Sequence, residues 1–195
     1  MQDQSEINTY FINALDLKAF FSKCLSEARA QVCPKIASIS VPFNYLAPLA
    51  VLQSVAKANQ LHFYSERPAD DSAVLAWGSV RLATFSGKKR FEEVKAFSEE
   101  CLQTVLRYSA PRGKAFDRPH FFTAFTFEDT PIDDLEFAPA TVFLPEWHIY
   151  SDSGTYGLVL NIEVSEGATV DQLYAHFEKV YQYFSSFDYA EEKLD

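Results

Sequence analysis

Between Thr155 and Val164 the side chains alternate, with Tyr156, Leu158, Leu160, Ile162 and Val164 on one face. Just beyond, the apolar period changes from two to 3.6. Thr169-Val170-Asp171-Gln172 has the form of a capping box. It opens a helix whose stripe is Val170, Leu173, Tyr174, Phe177, Val180, Tyr181 and Phe184. A half-buried strand followed at once by an amphipathic helix commits this end of the chain to a sheet with a helix laid on it.

The same two periods recur upstream. Leu17, Phe20, Phe21, Cys24, Leu25 and Ala28 mark a first helix that stops before Pro34. Ile36–Phe43 reads as a strand, with Ile39, Val41 and Phe43 on one face. Pro48 suits the first turn of a helix over Pro48–Asn59. Three short strands are predicted at His62–Glu66, Ala73–Trp77 and Ser79–Phe85, punctuated by Arg67-Pro68-Ala69-Asp70-Asp71 and Gly78. A long helix is predicted over Lys89–Tyr108, on the stripe Phe91, Val94, Phe97, Cys101, Leu102, Val105. Ala110–Lys114 forms a loop. His120–Glu128 follows as a strand with Phe121, Phe125 and Phe127 on one face, then Thr141–Tyr150, interrupted at Pro145 by an edge or a bulge. Sequential strands joined by short turns, interleaved with helices, predict an α+β fold: an antiparallel sheet with helices packed on one face. No repeat, low-complexity tract or linker divides residues 1–195, which read as a single domain.

The apolar fraction of 48% and the 18 phenylalanines are those of a globular chain with a thick core. A net charge of −10 repels phosphate backbones and anionic lipid, so neither nucleic acid nor a membrane surface is expected as a partner. Cys24, Cys33 and Cys101 are odd in number and lack zinc spacing, so they are expected as thiols in a reducing cytoplasm. Met1–Glu6 lacks the basic and apolar regions of a signal peptide.

Candidate chemistry is sparse. His62, His120, His148 and His176 form no H-E-x-x-H. Glu146 and His148, two apart on an expected strand, would share a face and are the one candidate pair for a cation. No nucleophile elbow and no glycine-rich phosphate loop occurs. Ser86-Gly87-Lys88-Lys89-Arg90 comes nearest to an anion cradle; its commoner reading is a solvated basic helix start, although cations there oppose the helix dipole. Glu92-Glu93, Glu99-Glu100, Asp133-Asp134 and Glu191-Glu192 are adjacent pairs, which on a helix point apart and so make no acid–base dyad.

Function enters through a resemblance. Ile39-Ser-Val-Pro-Phe-Asn-Tyr-Leu-Ala-Pro-Leu-Ala-Val-Leu is followed by Leu61-His-Phe-Tyr-Ser-Glu-Arg and Ala73-Val-Leu-Ala-Trp-Gly-Ser-Val. Then come Pro119-His-Phe-Phe-Thr-Ala-Phe-Thr-Phe-Glu and Ala140-Thr-Val-Phe-Leu-Pro-Glu-Trp-His-Ile. In order and spacing, over about residues 36–165, these blocks resemble the N-terminal region of isochorismate synthases in the chorismate-binding family. Thr123-Ala124 stands where the family commonly has two glycines.

The resemblance implies half of an α/β/β/α fold. It also implies that the reacting groups (a lysine base, a glutamate acid and glutamates holding Mg²⁺) lie in a C-terminal half expected beyond Asp195. No catalytic, cofactor-binding or metal residue is therefore assigned to this chain, and Mg²⁺ is expected only for a full-length enzyme. Phe63-Tyr64-Ser65-Glu66 lacks the Leu-Leu-Glu-Ser motif of tryptophan-regulated relatives, so no feedback is expected. The expected partners are the missing catalytic half and a second copy, docked through an exposed sheet face. Two alternatives stand beside this reading. One is a free-standing binding or scaffold domain derived from the family. The other is the N-terminal half of a salicylate, anthranilate or aminodeoxychorismate synthase. The pathway stays open among menaquinone, phylloquinone and siderophore synthesis.

Overall fold

A computed structural model describes residues 12–55, 60–109, 118–130 and 138–187. Its strands form two sheets. The larger has six strands in the order β2-β3-β8-β9-β1-β5, with β1 at Lys35–Phe43, β2 at His62–Arg67, β3 at Ser72–Trp77, β5 at Val105–Ser109, β8 at Trp147–Asp152 and β9 at Thr155–Val164. The smaller has the order β4-β7-β6, from Arg81–Phe85, Ala140–Leu144 and Phe122–Phe125. Every pairing is antiparallel except β1 with β5.

Strand alternation sorts the side chains into layers. Ala37, Ile39, Val41 and Phe43 of β1 and Leu158, Leu160, Ile162 and Val164 of β9 face the main core. That core is closed by α1 (Ala14–Gln31), α2 (Pro48–Val55) and α4 (Val170–Ser185). The opposite face of the large sheet offers Val74 and Ala76, which pack on Phe122 and Phe143 of the small sheet. The far face of the small sheet, with Ala83, Phe85, Ala140 and Val142, packs on Val94 and Phe97 of α3 (Arg90–Leu102). The stack is therefore three helices, six strands, three strands, one helix.

The α+β class, the mostly antiparallel sheet and the helices covering one of its faces are as the sequence predicts. Both terminal helices follow their stripes. Asn13 Oδ1 caps α1 by accepting from Leu15 N at 2.9 Å, and Thr169 with Gln172 closes the capping box of α4. Helix α2 begins at Pro48 as expected, and the last residues predicted for it lie outside the described ones.

Three expectations are corrected. The helix predicted to reach Tyr108 ends at Leu102, and Val105–Ser109 becomes the strand β5. Thr104 N–H and Oγ1 both bond Cys101 O, closing the helix, and Ile36 N–H takes Thr104 O, which lays the next residues along the open edge of β1. The α3 stripe is narrower than predicted: Phe91 and Leu102 are exposed and Arg90 is buried. The segment Thr141–Tyr150 is not one strand, because the chain changes sheets at Pro145-Glu146. Proline cannot donate to a ladder, and here the break lets β7 and β8 belong to different layers. A second change of sheets occurs at Gly78, between β3 and β4, where φ is +64°.

Candidate functional site

A cleft of about 390 Å³ opens between the β2–β3 hairpin and the start of β6. Alternation along β2 puts Phe63, Ser65 and Arg67 on its wall, and Val74, Phe121 and Phe122 add apolar surface. Two turns meet at its mouth. A single 3-10 turn at Pro68–Asp70 ends in Asp71 at φ 46°, and Ser153 N–H donates to Asp71 O at 3.0 Å. That bond continues the β3–β8 ladder, in which Asp152 stands opposite Ser72, so Asp152 joins Asp70 and Arg67 at the rim. One guanidinium and two carboxylates leave the rim net negative. A ligand with two carboxylates would meet repulsion from both aspartates and attraction from a single arginine.

A second polar feature lies inside the stack. Ser38 on β1 and Asn161 on β9 are register partners, and both are buried on the face turned toward the small sheet. Asn161 Nδ2 donates to Pro145 O at 2.9 Å, and Asn161 N–H donates to Glu146 O at 2.7 Å. Asn161 thus holds the point where the chain changes sheets, and it satisfies the Pro145 carbonyl inside the protein.

The residues singled out by sequence are dispersed. Glu146 is exposed at the sheet crossing, whereas His148 is fully buried between the sheets, so the predicted pair does not share a face. His148 instead meets His120 and Phe122 edge-on, with ring centroids 5.6 and 5.9 Å apart. His62 stacks on Trp77, and His176 sits on the exposed face of α4. Glu92, Glu93, Glu99 and Glu100 are exposed on α3, where Lys95 pairs with Glu99 at 3.8 Å. Asp133-Asp134 and Glu191-Glu192 lie outside the described residues. Cys24, Cys33 and Cys101 are free thiols; burial pushes Cys24 up to about 12 and raises Cys101 as well.

Sequence reasoning missed the rim of Arg67, Asp70 and Asp152. The cluster at Arg67–Asp71 reads only as a turn, and nothing local brings Asp152 to it.

A family model described as chorismate binding enzyme matches residues 20–194. The chain belongs to the chorismate-binding enzyme family. No curated protein matches it. Among solved structures it is similar to MenF, the menaquinone-specific isochorismate synthase from Escherichia coli, at 12% identity and a TM-score of 0.47. That likeness covers 83% of this chain and 33% of MenF, so the chain spans about a third of the length of the structure it matches.

The family resemblance implies Mg²⁺ for a complete enzyme. Among the described residues no three His, Cys, Asp or Glu side chains come together to hold a cation. The groups present do not fit the ion, and no step through it is assigned to them. No helix among the described residues is long and apolar enough to cross a membrane.

Proposed function

We propose that this chain is the N-terminal structural portion of an isochorismate synthase, and that it supplies layers supporting a chorismate site without reacting groups of its own. The observation that carries the reading is family membership across residues 20–194. The cleft is in keeping with it: one arginine against two aspartates suits the dicarboxylate chorismate poorly. In this reading the partner is a C-terminal catalytic half that binds Mg²⁺, and the compartment is the reducing cytoplasm. A homodimer belongs to the same proposal. Phe91, Phe125 and Phe127 are exposed, and Phe91 and Phe125 lie with centroids 4.6 Å apart, the kind of apolar surface that pairs with a second copy.

The test begins with the coding DNA past the codon for Asp195. The product of the whole reading frame and residues 1–195 alone are then assayed for isochorismate formation from chorismate with Mg²⁺. Turnover by the first and none by the second upholds the proposal. Turnover by the 195-residue chain, or salicylate or anthranilate as the product of the whole frame, overturns it.

One observation favours a second reading, a free-standing binding domain. The cleft is large enough for a small molecule and carries both charge signs at its rim. A stop codon directly after Asp195, with no calorimetric binding of chorismate, would favour that reading over the first.

A further inference from the structure

The cleft beside the β2–β3 hairpin has an ordered wall. Cross-strand partners stand on the same face of a sheet. Arg67, Ser72 and Asp152 therefore form one row across β2, β3 and β8. Ser65 and Val74 belong to the next row inward, and Phe63 and Ala76 to the one after it. Phe122 of the small sheet lies against that innermost row, its ring centroid 5.0 Å from that of Phe63. A ligand entering along these rows meets charge first, then hydroxyl, then aromatic surface.

The charges of the outer row do not cancel. Arg67 and Asp152 stand two strands apart with Ser72 between them, so their Cα atoms are about 10 Å from each other. Among the described residues neither forms an ion pair, and nor does Asp70 in the adjoining turn. Asp152 accepts from Ser153 Oγ at 3.2 Å, which leaves further acceptor positions on its carboxylate. It is half-buried, whereas Arg67 is exposed. Water and salt screen an exposed charge more than a sheltered one, so the carboxylate outweighs the guanidinium inside the cleft. No third metal-binding side chain joins the two aspartates among the described residues, so the negative field is not that of a cation centre.

We propose that the cleft binds a small organic cation, a primary ammonium group carried on an aromatic body. An ammonium has three donors and no acceptor. The rim offers it acceptors and nothing that it must supply in return: the Asp152 and Asp70 carboxylates and the Ser72 hydroxyl. The aromatic body then lies toward Phe63 and Phe122, whose rings also attract a nearby cation. The volume of about 390 Å³ is that of a small-molecule site. Every group in this site belongs to the described residues, so it needs no catalytic half. The synthase reading and this one can each fail without the other.

The experiment is a titration of ¹⁵N-labelled residues 1–195 with four probes at constant pH and ionic strength. 2-Phenylethylamine, protonated at neutral pH, carries the full chemistry. Ethylamine keeps the ammonium and loses the ring, 3-phenylpropionate keeps the ring and reverses the charge, and phenylalanine adds a carboxylate to the ammonium and ring. Saturable shifts are expected with 2-phenylethylamine at the backbone amides of residues 63–67, 72–74 and 121–123, with half-saturation at about 1 mM or below. Each of the other three should bind more weakly. Asp152→Asn should weaken the amine about threefold to fivefold, the range of a partly exposed charge pair, and Asp70→Asn should weaken it less. Arg67→Gln removes a competing cation and should tighten it. The exposure of Arg67 and Asp70 leaves the fold intact in two of these variants, and amide spectra of the unliganded proteins check it for all three. No saturable shift with 2-phenylethylamine, equal or tighter binding of phenylalanine or 3-phenylpropionate, or weaker amine binding in Arg67→Gln overturns the proposal. So does unchanged affinity in a folded Asp152→Asn.

Discussion

Single residues carry the two places where the chain changes sheets. At Gly78 a Cβ would lie 2.7 Å from Glu146 Cδ, and φ is +64°. Gly154 has a similar φ, +73°, but open space around it. Gly154→Ala should therefore cost only left-handed strain, about 1 kcal/mol. Gly78→Ala adds a clash that pushes Glu146 off the crossing, for about 2–4 kcal/mol in all. Urea denaturation of the two variants separates these terms, and equal losses would mean that Glu146 swings away freely. Thiol chemistry makes a second prediction at this scale. Cys24 is buried and held up to about 12, whereas Cys33 is half-buried. At pH 8 a thiol reagent should label Cys33 in the folded chain and leave Cys24 untouched until denaturant is added. Cys24 has a folded value above its ordinary 9.0, so its contribution to stability is intact below about pH 9 and is lost as pH rises toward about 12. Denaturation midpoints that fall between those limits in the native chain, and fall less in Cys24→Ala, would show it.

Among elements, the capping box of α4 gives the cleanest measurement. Thr169 Oγ1 accepts from Gln172 N–H at 3.3 Å, and Thr169 N–H donates to Gln172 Oε1 at 3.0 Å. Thr169→Ala should cost about 1 kcal/mol by thermal or urea unfolding, and Gln172→Ala less. This box was legible in the sequence because every group in it lies within four residues. So were α1, β1 and β9, whose apolar periods are local. Strand β5 was not. Cys101, Leu102 and Val105 prolong the helical period of α3; Thr104 closes the helix locally, but what makes a strand of the next residues is distant: the edge of β1, whose Ile36 N–H donates to Thr104 O. The break at Pro145 was visible, but its consequence was not, because Asn161, which fastens the crossing, belongs to another strand. The cleft fared worst, since Asp152 reaches its rim through the long-range pairing of β8 with β3, where it stands opposite Ser72. The basic run Ser86–Arg90 was legible as a motif, while the burial of Arg90 is a tertiary fact.

At the scale of the whole molecule the layers are unequal. The core between the large sheet and α1, α2 and α4 joins aromatic and aliphatic residues from both terminal helices and most strands. The small sheet rests on thinner contacts: Ala76, Phe122 and Phe143 on one side, Val94, Ala140 and Val142 on the other, with partly buried neighbours. Apolar burial is the main term holding layers together, so the small sheet and α3 should open before the rest. Amide exchange tests this directly. Amides of β1 and β9, central in the large sheet, should exchange only through global unfolding, and those of β4, β6 and β7 faster, through partial opening. Phe143 faces the large sheet and packs on Phe122, with ring centroids 5.7 Å apart. Phe143→Ala should cost about 3–5 kcal/mol locally. If the outer layers open independently, it will speed exchange in β4, β6 and β7 and leave β1 and β9 nearly unchanged. If every strand exchanges at one rate, and Phe143→Ala speeds them all alike, the four layers form one cooperative unit. The two sheet crossings and the Arg81–Glu163 ion pair between sheets would then carry more of the coupling than the apolar contacts do.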